Sequence, residues 1–546
     1  MKIKSLLVGM LACTAMVSCT NDDVLENNDV IKAGEKGYIA VNIARSTGAR
    51  SFEAGIDSEH AVSEAYFYFL DGDYNGCADV CIVPGTQLKW STEGVDDHQT
   101  KKATALVVNG IKDEVPAYIV AIMNPTQAIK DLGNRPSLTQ LKGVHENYSS
   151  LSTNLVMSNA VYSASNNKEV VATAITLDNI AHSEAALANT DPVTIQVERV
   201  VAKVAVDNLS EAIATLNGKL NSDETREIID DAESMKLKFV LTGWEVLQNK
   251  QSGLIKDIDA TNWTITNWND LAKKRSYWAN DYNNTENGRT KYLVGSLSGK
   301  DEQFKYVEET VNQTAHAPLF LAEGNDAKTP YLLVSGQFVN AANDEAVNLV
   351  EWKGQKYTAQ GYLNLVAGMA NVSKYYTAET VDGVTTYTSF SANLLELKDN
   401  TENDWGAHAV LKNESTEFYT VEFLADGVTV NKEKVTKVET DEVVEAIAAF
   451  GEVKYWNGGN AYYFVPIRHQ ELTAATETAP AVNYYGVVRN HVYKMNISKI
   501  NGYGTPVANP EQYIDKPENP DEGDTYMQAE VVILDWKVVN NEVELN

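Results

Sequence analysis

The stretch "YIAVNIAR" at Tyr38–Arg45 decides how the rest of the chain is read. Ile39, Val41 and Ile43 alternate with Ala40, Asn42 and Ala44, the period of two that gathers apolar side chains on one face of a strand. The alternation ends at Arg45. A charged, Gly-containing loop, "STGARSFEAGIDSE", follows and holds Arg50. Downstream the same signal recurs in "SEAYFYFLDGD" (Ser63–Asp73), "TALVVNG" (Thr104–Gly110), "AYIVAIMN" (Ala117–Asn124), "VTIQVERVVAKVAV" (Val193–Val206) and "KLKFVLTGWEVL" (Lys236–Leu247). Helical periodicity is confined to short pieces at Leu209–Leu220 and Asp441–Gly451, and to Ser137–Thr153, where the register is left open. Many short strands rich in Val, Thr and Tyr, with turns of Asn, Asp and Gly, predict an all-β chain built from β-sandwiches.

The chain has 546 residues, with 45 Lys and Arg against 75 Asp and Glu, for a formal net charge of −30. Phosphate backbones and anionic lipid need clustered positive charge, so this balance argues against nucleic acid and against adsorption to such a membrane. A hydrophobic fraction of 44% is that of a globular chain. The length is enough for roughly two to four domains. The polar, weakly helical run at 206–234 is the expected domain change. A second break is the Pro- and acid-rich "ANPEQYIDKPENPDEGD" (Ala508–Asp524), which should be extended. The expected division is therefore a signal over 1–18, a propeptide with the first strand over 19–50, two sandwich domains over 51–206 and 207–508, and a linker with a terminal strand over 509–546.

Both ends carry specific signals. "MKIKSLLVGMLACTAMVSC" places Lys2 and Lys4 before an apolar stretch from Leu6 to Val17, the pattern of a secretory signal too short to span a bilayer. Ser18 directly before Cys19 fits a bacterial lipoprotein signal, with cleavage before Cys19 and lipid, palmitate included, on its sulfur. The outer membrane would then be reached through that lipid. At the other end, "AEVVILDWKVVNNEVELN" (Ala529–Asn546) sets Val532, Leu534, Trp536 and Val538 on one face of an extended chain, with Val531 and Ile533 on the other, continued by Val539, Val543 and Leu545. Such a segment needs a sheet to join, because an unpaired apolar edge invites aggregation.

The chain offers little for chemistry. It has no HExxH, GxSxG, P-loop or GxGxxG pattern. "DGDYNGCADVCI" begins like a calcium loop with Asp71, Asp73 and Asn75, but its twelfth position is Ile82 where a bidentate Glu is required. Arg468 and His469 adjoin without a nucleophile motif to serve. An aromatic cluster at Trp263, Trp268, Tyr277, Trp278 and Tyr282 fits core packing or a sugar ring. With Cys13 and Cys19 in the signal, Cys77 and Cys81 remain; a disulfide across a turn and free buried thiols are both open. No catalytic residue, cofactor or metal site is expected, and the chain reads as a non-enzyme.

Several strands are recognisable as an ordered set: "NLVMSNAVY" (Asn154–Tyr162), "VERVVAKV" (Val197–Val204), "FVLTGWEVLQNK" (Phe239–Lys250), "KRSYWAND" (Lys274–Asp281), "AYYFVPIRH" (Ala461–His469) and "YYGVVRNHVYKMNI" (Tyr484–Ile497). Together they resemble the type V fimbrillins of Bacteroidetes, in particular the major structural subunit of the minor, Mfa-type fimbriae. A departure lies in "VNQTAHAPLFLAEG" (Val311–Gly324), where relatives often carry a "CxENT"-like stretch. The resemblance implies two tandem β-sandwich domains of transthyretin-like topology and a lipidated precursor. It also implies a trypsin-like, Arg-specific protease that cuts near the start of the mature chain, removes the first strand and opens a groove. The C-terminal segment of an identical subunit would fill that groove, in a fibre that also contains anchor and tip subunits.

The residues themselves accommodate this scheme. Arg50 and Arg45 are the expected processing sites, and Ile39, Val41 and Ile43 the buried face of the removable strand. Val532, Leu534, Trp536, Val538, Val543 and Leu545 form the expected donor strand, which should lie mobile or loosely docked before assembly. Burying such side chains yields about 1.5–3 kcal/mol each, opposed by the entropy of ordering the segment. The alternative is a monomeric surface lipoprotein that binds glycan or a host ligand through its aromatic residues.

Overall fold

In the computed structural model the described residues are 36–45, 57–59, 61–91, 101–112, 114–160, 171–207, 235–257, 290–293, 297, 299–311, 330–400, 405–467, 469, 486–500, 502–509, 511, 513–514, 527–532 and 537–538. They form an all-β fold, as the alternation predicts, with a few short helices.

Ten strands make the first sheet. Its path runs Cys81–Pro84, Glu64–Leu70, Tyr118–Met123, Met157–Asn159, Val193–Arg199, Gly37–Arg45, Lys101–Val108 and Lys89–Ser91. Strand Glu64–Leu70 is buried on both faces. Phe67 and Phe69 enter one core with Ile39, Leu106 and Ile195, while Tyr68 and Leu70 enter a second core with Ile122 and Leu141. That explains why its sequence is a continuous apolar run rather than an alternation. The open register in Ser137–Thr153 resolves into a five-residue helix, Leu138–Lys142, opened by a capping box between Ser137 and Gln140.

A second body begins sooner than the sequence indicates. Val201–Asp207 pairs with Phe304–Glu308 and His491–Ile500, not with the first sheet. Sheet membership therefore changes at Val200, and the division expected between 206 and 207 cuts through a strand. The run "VTIQVERVVAKVAV" contains no turn residue, so its composition gives no sign of the change. Across from this sheet lies another of four strands, Leu237–Leu247, Tyr331–Asn340, Asn460–Pro466 and Thr505–Pro506. Both sheets bury one core, to which Val204 and Tyr493 contribute from one side and Trp244, Phe338 and Tyr463 from the other.

The expected domain 207–508 also contains a lobe with its own core. Between the paired strands Tyr331–Asn340 and Asn460–Pro466 the chain leaves to form a five-stranded and a four-stranded sheet within Leu349–Trp456. Two helices, Ala359–Gly368 and Thr440–Ala448, pack there, and Tyr362, Val366, Val443 and Ile447 reach a separate core with Val350 and Phe418. The first helix is started by Thr358, whose hydroxyl accepts from Gly361 N at 3.0 Å. The second is the helix expected at Asp441–Gly451. The piece at Leu209–Leu220 lies outside the described residues.

Candidate functional site: the first strand, the last strand and their junction

The first strand, Gly37–Arg45, lies inside the first sheet with a partner on each side. It runs antiparallel to Lys101–Val108 through eight residue pairs, Gly37↔Val108 to Ala44↔Lys101. On the other side it runs parallel to Val193–Arg199 through five pairs, Val41↔Val193 to Arg45↔Val197. Ile39 and Val41 are fully buried among Leu106, Val108, Ile195 and Val197. For Ile43 and Arg45 the backbone pairing is described; Arg50 and Cys19 lie outside the described residues. Taking this strand away would expose a slot with two unlike edges, one antiparallel throughout and one parallel along Val193–Arg199 but antiparallel at Ile180–Ala181, each with unpaired backbone groups.

The terminal segment is docked. Met527–Val532 runs antiparallel along His491–Ile500, with Lys494↔Val532 at one end and Ile500↔Met527 at the other, and Lys537–Val538 lies parallel to the start of the same strand. The segment was expected to be mobile or loosely docked before assembly; its described residues lie on a sheet edge of their own chain. The physical reason is an edge: His491–Ile500 is covered on one side by Val201–Asp207, and the returning chain satisfies the backbone groups of the other side. Val532 and Val538 take part through their backbones; Leu534, Trp536, Val543 and Leu545 lie outside the described residues.

Between the two bodies sits a knot of buried charge that sequence reasoning missed. Arg489, 1% exposed, donates from Nε to Glu309 at 2.6 Å and from its terminal nitrogens to the carbonyls of Leu254 (3.0 Å) and Gly253 (2.6 Å). Burial works against its charge, but Glu309 and Glu198 more than compensate and hold its pKa above the usual arginine value. Lys256, fully buried, lies 3.5 Å from Glu198 and 3.9 Å from Glu309. Glu308 is also fully buried, and burial pushes its carboxyl up to about 7 although Ser252 and Ser149 donate to it. Glu59, fully buried, accepts from Lys203 at 2.9 Å and from the Tyr306 hydroxyl at 2.8 Å. Its backbone carbonyl accepts from Arg199 Nε at 3.1 Å. Burial alone would raise the Glu59 pKa, yet Lys203, Tyr306 and Arg199 together leave it lowered. The available signal was charge set inside apolar strand runs, as in "VERVV" and "VVRNHV".

The other expected residues fall as follows. Cys77 and Cys81 are free thiols; burial raises both, Cys77 to about 12, so neither is a reactive thiolate. Asp71 Oδ1 accepts from the backbone of Asp73 (2.9 Å) and Asn75 (2.8 Å), which closes a turn. Among the described residues no group of three His, Cys, Asp or Glu could hold a metal ion. His469 is buried with its Nδ1 2.8 Å from the Tyr493 hydroxyl, a core contact. Arg468 and the aromatic cluster from Trp263 to Tyr282 lie outside the described residues.

Residues 454–542 match the family model described as major fimbrial subunit protein type IV, fimbrillin, C-terminal. That part of the chain, which includes His491–Ile500 and the docked Met527–Val532, is fimbrillin-like, in keeping with the resemblance read from the sequence. Among solved structures, the chain is similar to a fimbrilin from Porphyromonas gingivalis at 13% identity, covering 93% of this chain and 98% of that one with a TM-score of 0.33. It is similar to the C-terminally truncated tip fimbrial protein Mfa3 of the same organism at 12% identity, covering 92% and 100% with a TM-score of 0.31. A fimbrial assembly protein from Parabacteroides distasonis matches at 11% identity, covering 74% and 100% with a TM-score of 0.29. Scores this low leave the functional reading to the family match and the chain's own geometry. No curated protein sequence matches the chain.

Proposed function

We propose that the protein is a structural shaft subunit of a cell-surface fimbria, supporting adhesion, that polymerises by strand exchange after proteolysis. The observation that carries this reading is the internal position of Gly37–Arg45, a strand near the start of the chain that is paired on both sides. Cleavage after Arg45 or Arg50 would free it from everything downstream. Its departure costs the burial of Ile39 and Val41, about 1.5–3 kcal/mol each, and both hydrogen-bond ladders. A replacement strand from another copy restores both, so the vacated slot selects for strand addition. The donor in this scheme is the terminal segment, which must first leave the edge of His491–Ile500. A head-to-tail contact of this kind does not close on itself and generates a filament. A lipid on Cys19 would hold the precursor at the outer membrane, and an Arg-specific protease would supply the trigger.

Limited trypsin digestion followed by gel filtration tests the reading. The full chain should lose its first strand and form oligomers, while a chain truncated before Tyr526 should be cut equally and stay monomeric. Polymerisation of the truncated chain would overturn the donor assignment.

A further inference from the structure

A cleft of about 530 Å³ lies where the first body meets the second, away from both the first strand and the terminal strand. That volume is within the ~300–1,000 Å³ range of small-molecule sites. One wall is the loop Asn147–Ser152, held rigid because Asn147 Oδ1 accepts from Ser150 N at 3.1 Å and from Ser149 Oγ at 3.0 Å. The opposite wall is the end of Leu237–Leu247 continuing into Gln248, Asn249 and Lys250. Three half-buried rings, Tyr292, Phe304 and Tyr306, complete the lining, with Phe304 and Tyr306 edge to face at 5.5 Å between centroids.

The lining chemistry narrows the ligand. Two carboxylates, Glu245 and Glu302, are matched by two ammonium groups, Lys250 and Lys305, and Lys305 bridges both acids. A cleft without surplus positive charge, in a chain of net charge −30, does not favour phosphate or carboxylate ligands. Its walls carry hydroxyls and amides from Ser149, Ser150, Ser152, Asn147, Gln248 and Asn249, too polar a surface for a lipid tail. What remains is a neutral ligand with many hydroxyls and an apolar face that can lie on an aromatic ring, whose negative face attracts polarised C–H groups. We propose that this cleft is a binding site for a neutral carbohydrate, with the mutually inclined rings of Phe304 and Tyr306 as the aromatic platform, Lys203 Nζ lying 3.8 Å from the Phe304 centroid, and the Asn147–Ser152 loop as the hydroxyl-reading wall.

The platform belongs to the mature chain. The Tyr306 hydroxyl donates to Glu59, which lies beyond both Arg45 and Arg50, so the cleft survives removal of the first strand. The site is independent of strand exchange and can be tested in the uncleaved chain.

Ligand-observed NMR with the methyl glycosides of glucose, galactose, mannose and N-acetylglucosamine, each titrated to millimolar concentration, provides the test. At least one should show saturable binding. Ser152→Trp, which fills the mouth of the cleft from an exposed position, and Phe304→Ala, which removes the platform, should each weaken it at least tenfold. Tyr387→Ala, on the inserted lobe, should leave it unchanged, and thermal unfolding of each variant controls for folding. Absence of saturable binding by all four glycosides, or binding that survives Ser152→Trp in a folded protein, overturns the proposal.

Discussion

At the scale of single residues, the informative side chains are the charged ones that the fold has buried. Glu308 is the clearest case. Its carboxyl is raised by burial to about 7, while the donors Ser149 N and Ser252 Oγ and the nearby charge of Arg489 restrain the rise. A carboxyl raised on folding binds its proton more tightly in the native state. Its stabilising contribution is complete below the unfolded pKa, near 4.5, and is lost as pH rises to about 7. Each pKa unit corresponds to ~1.4 kcal/mol, so the effect is a few kcal/mol at most. Glu308→Gln removes the titration. In urea melts, the native chain should therefore lose stability relative to the variant between pH 4.5 and pH 7, and the difference should level off above that. A difference that stays constant over this range would mean that Glu308 does not titrate there. None of this was legible in the sequence, because 75 acidic residues give no sign of which one the fold encloses.

At the scale of elements, local pattern was read well and long-range pairing was not. The alternation of Ile39, Val41 and Ile43 located a strand, and the structure puts Gly37–Arg45 there with Ile39 and Val41 buried. Its parallel partner, Val193–Arg199, lies some 150 residues away, and no local signal names a parallel neighbour. The helix Ala359–Gly368 went unseen because "AQGYLNLVAG" contains two glycines, which weaken the periodic signal. The terminal segment was recognised as a strand that could dock loosely, but nothing local in the sequence named His491–Ile500 as its partner edge. Substituting Leu534 and Trp536 by Asp should abolish oligomers after proteolysis, since each Asp would bring an unpaired charge into a buried slot. The melting temperature of the uncut variant should stay within a few degrees of the native chain. A collapse of the uncut fold would instead assign these residues to the chain's own core.

At the scale of the whole molecule, the sequence indicated two domains, and the structure adds a lobe within the second. Strand-forming residues and turns continue across Leu349–Trp456 at the same density as elsewhere, so composition marks no boundary. Val350 and Tyr455 are directly paired where the lobe begins and ends, the arrangement that lets an inserted unit be removed. Replacing Glu351–Lys454 by Asn-Gly should close a hairpin between them. The shortened chain should unfold cooperatively by circular dichroism and still oligomerise after trypsin; an unfolded product would make the lobe part of the second body's core.

The two bodies also share a plan at their connection. In each, the first strand lies between one parallel and one antiparallel neighbour: Gly37–Arg45 beside Val193–Arg199 and Lys101–Val108, then Val201–Asp207 beside His491–Ile500 and Phe304–Glu308. Val200 alone separates the last strand of one from the first strand of the next. In a fibre of the proposed kind, tension entering through a strand seated beside Val193–Arg199 would pass through that single residue into the second sheet and leave along His491–Ile500. Ladder hydrogen bonds lie across this line of pull. They would be loaded in shear and resist together, whereas a strand peeled from one end yields them one at a time.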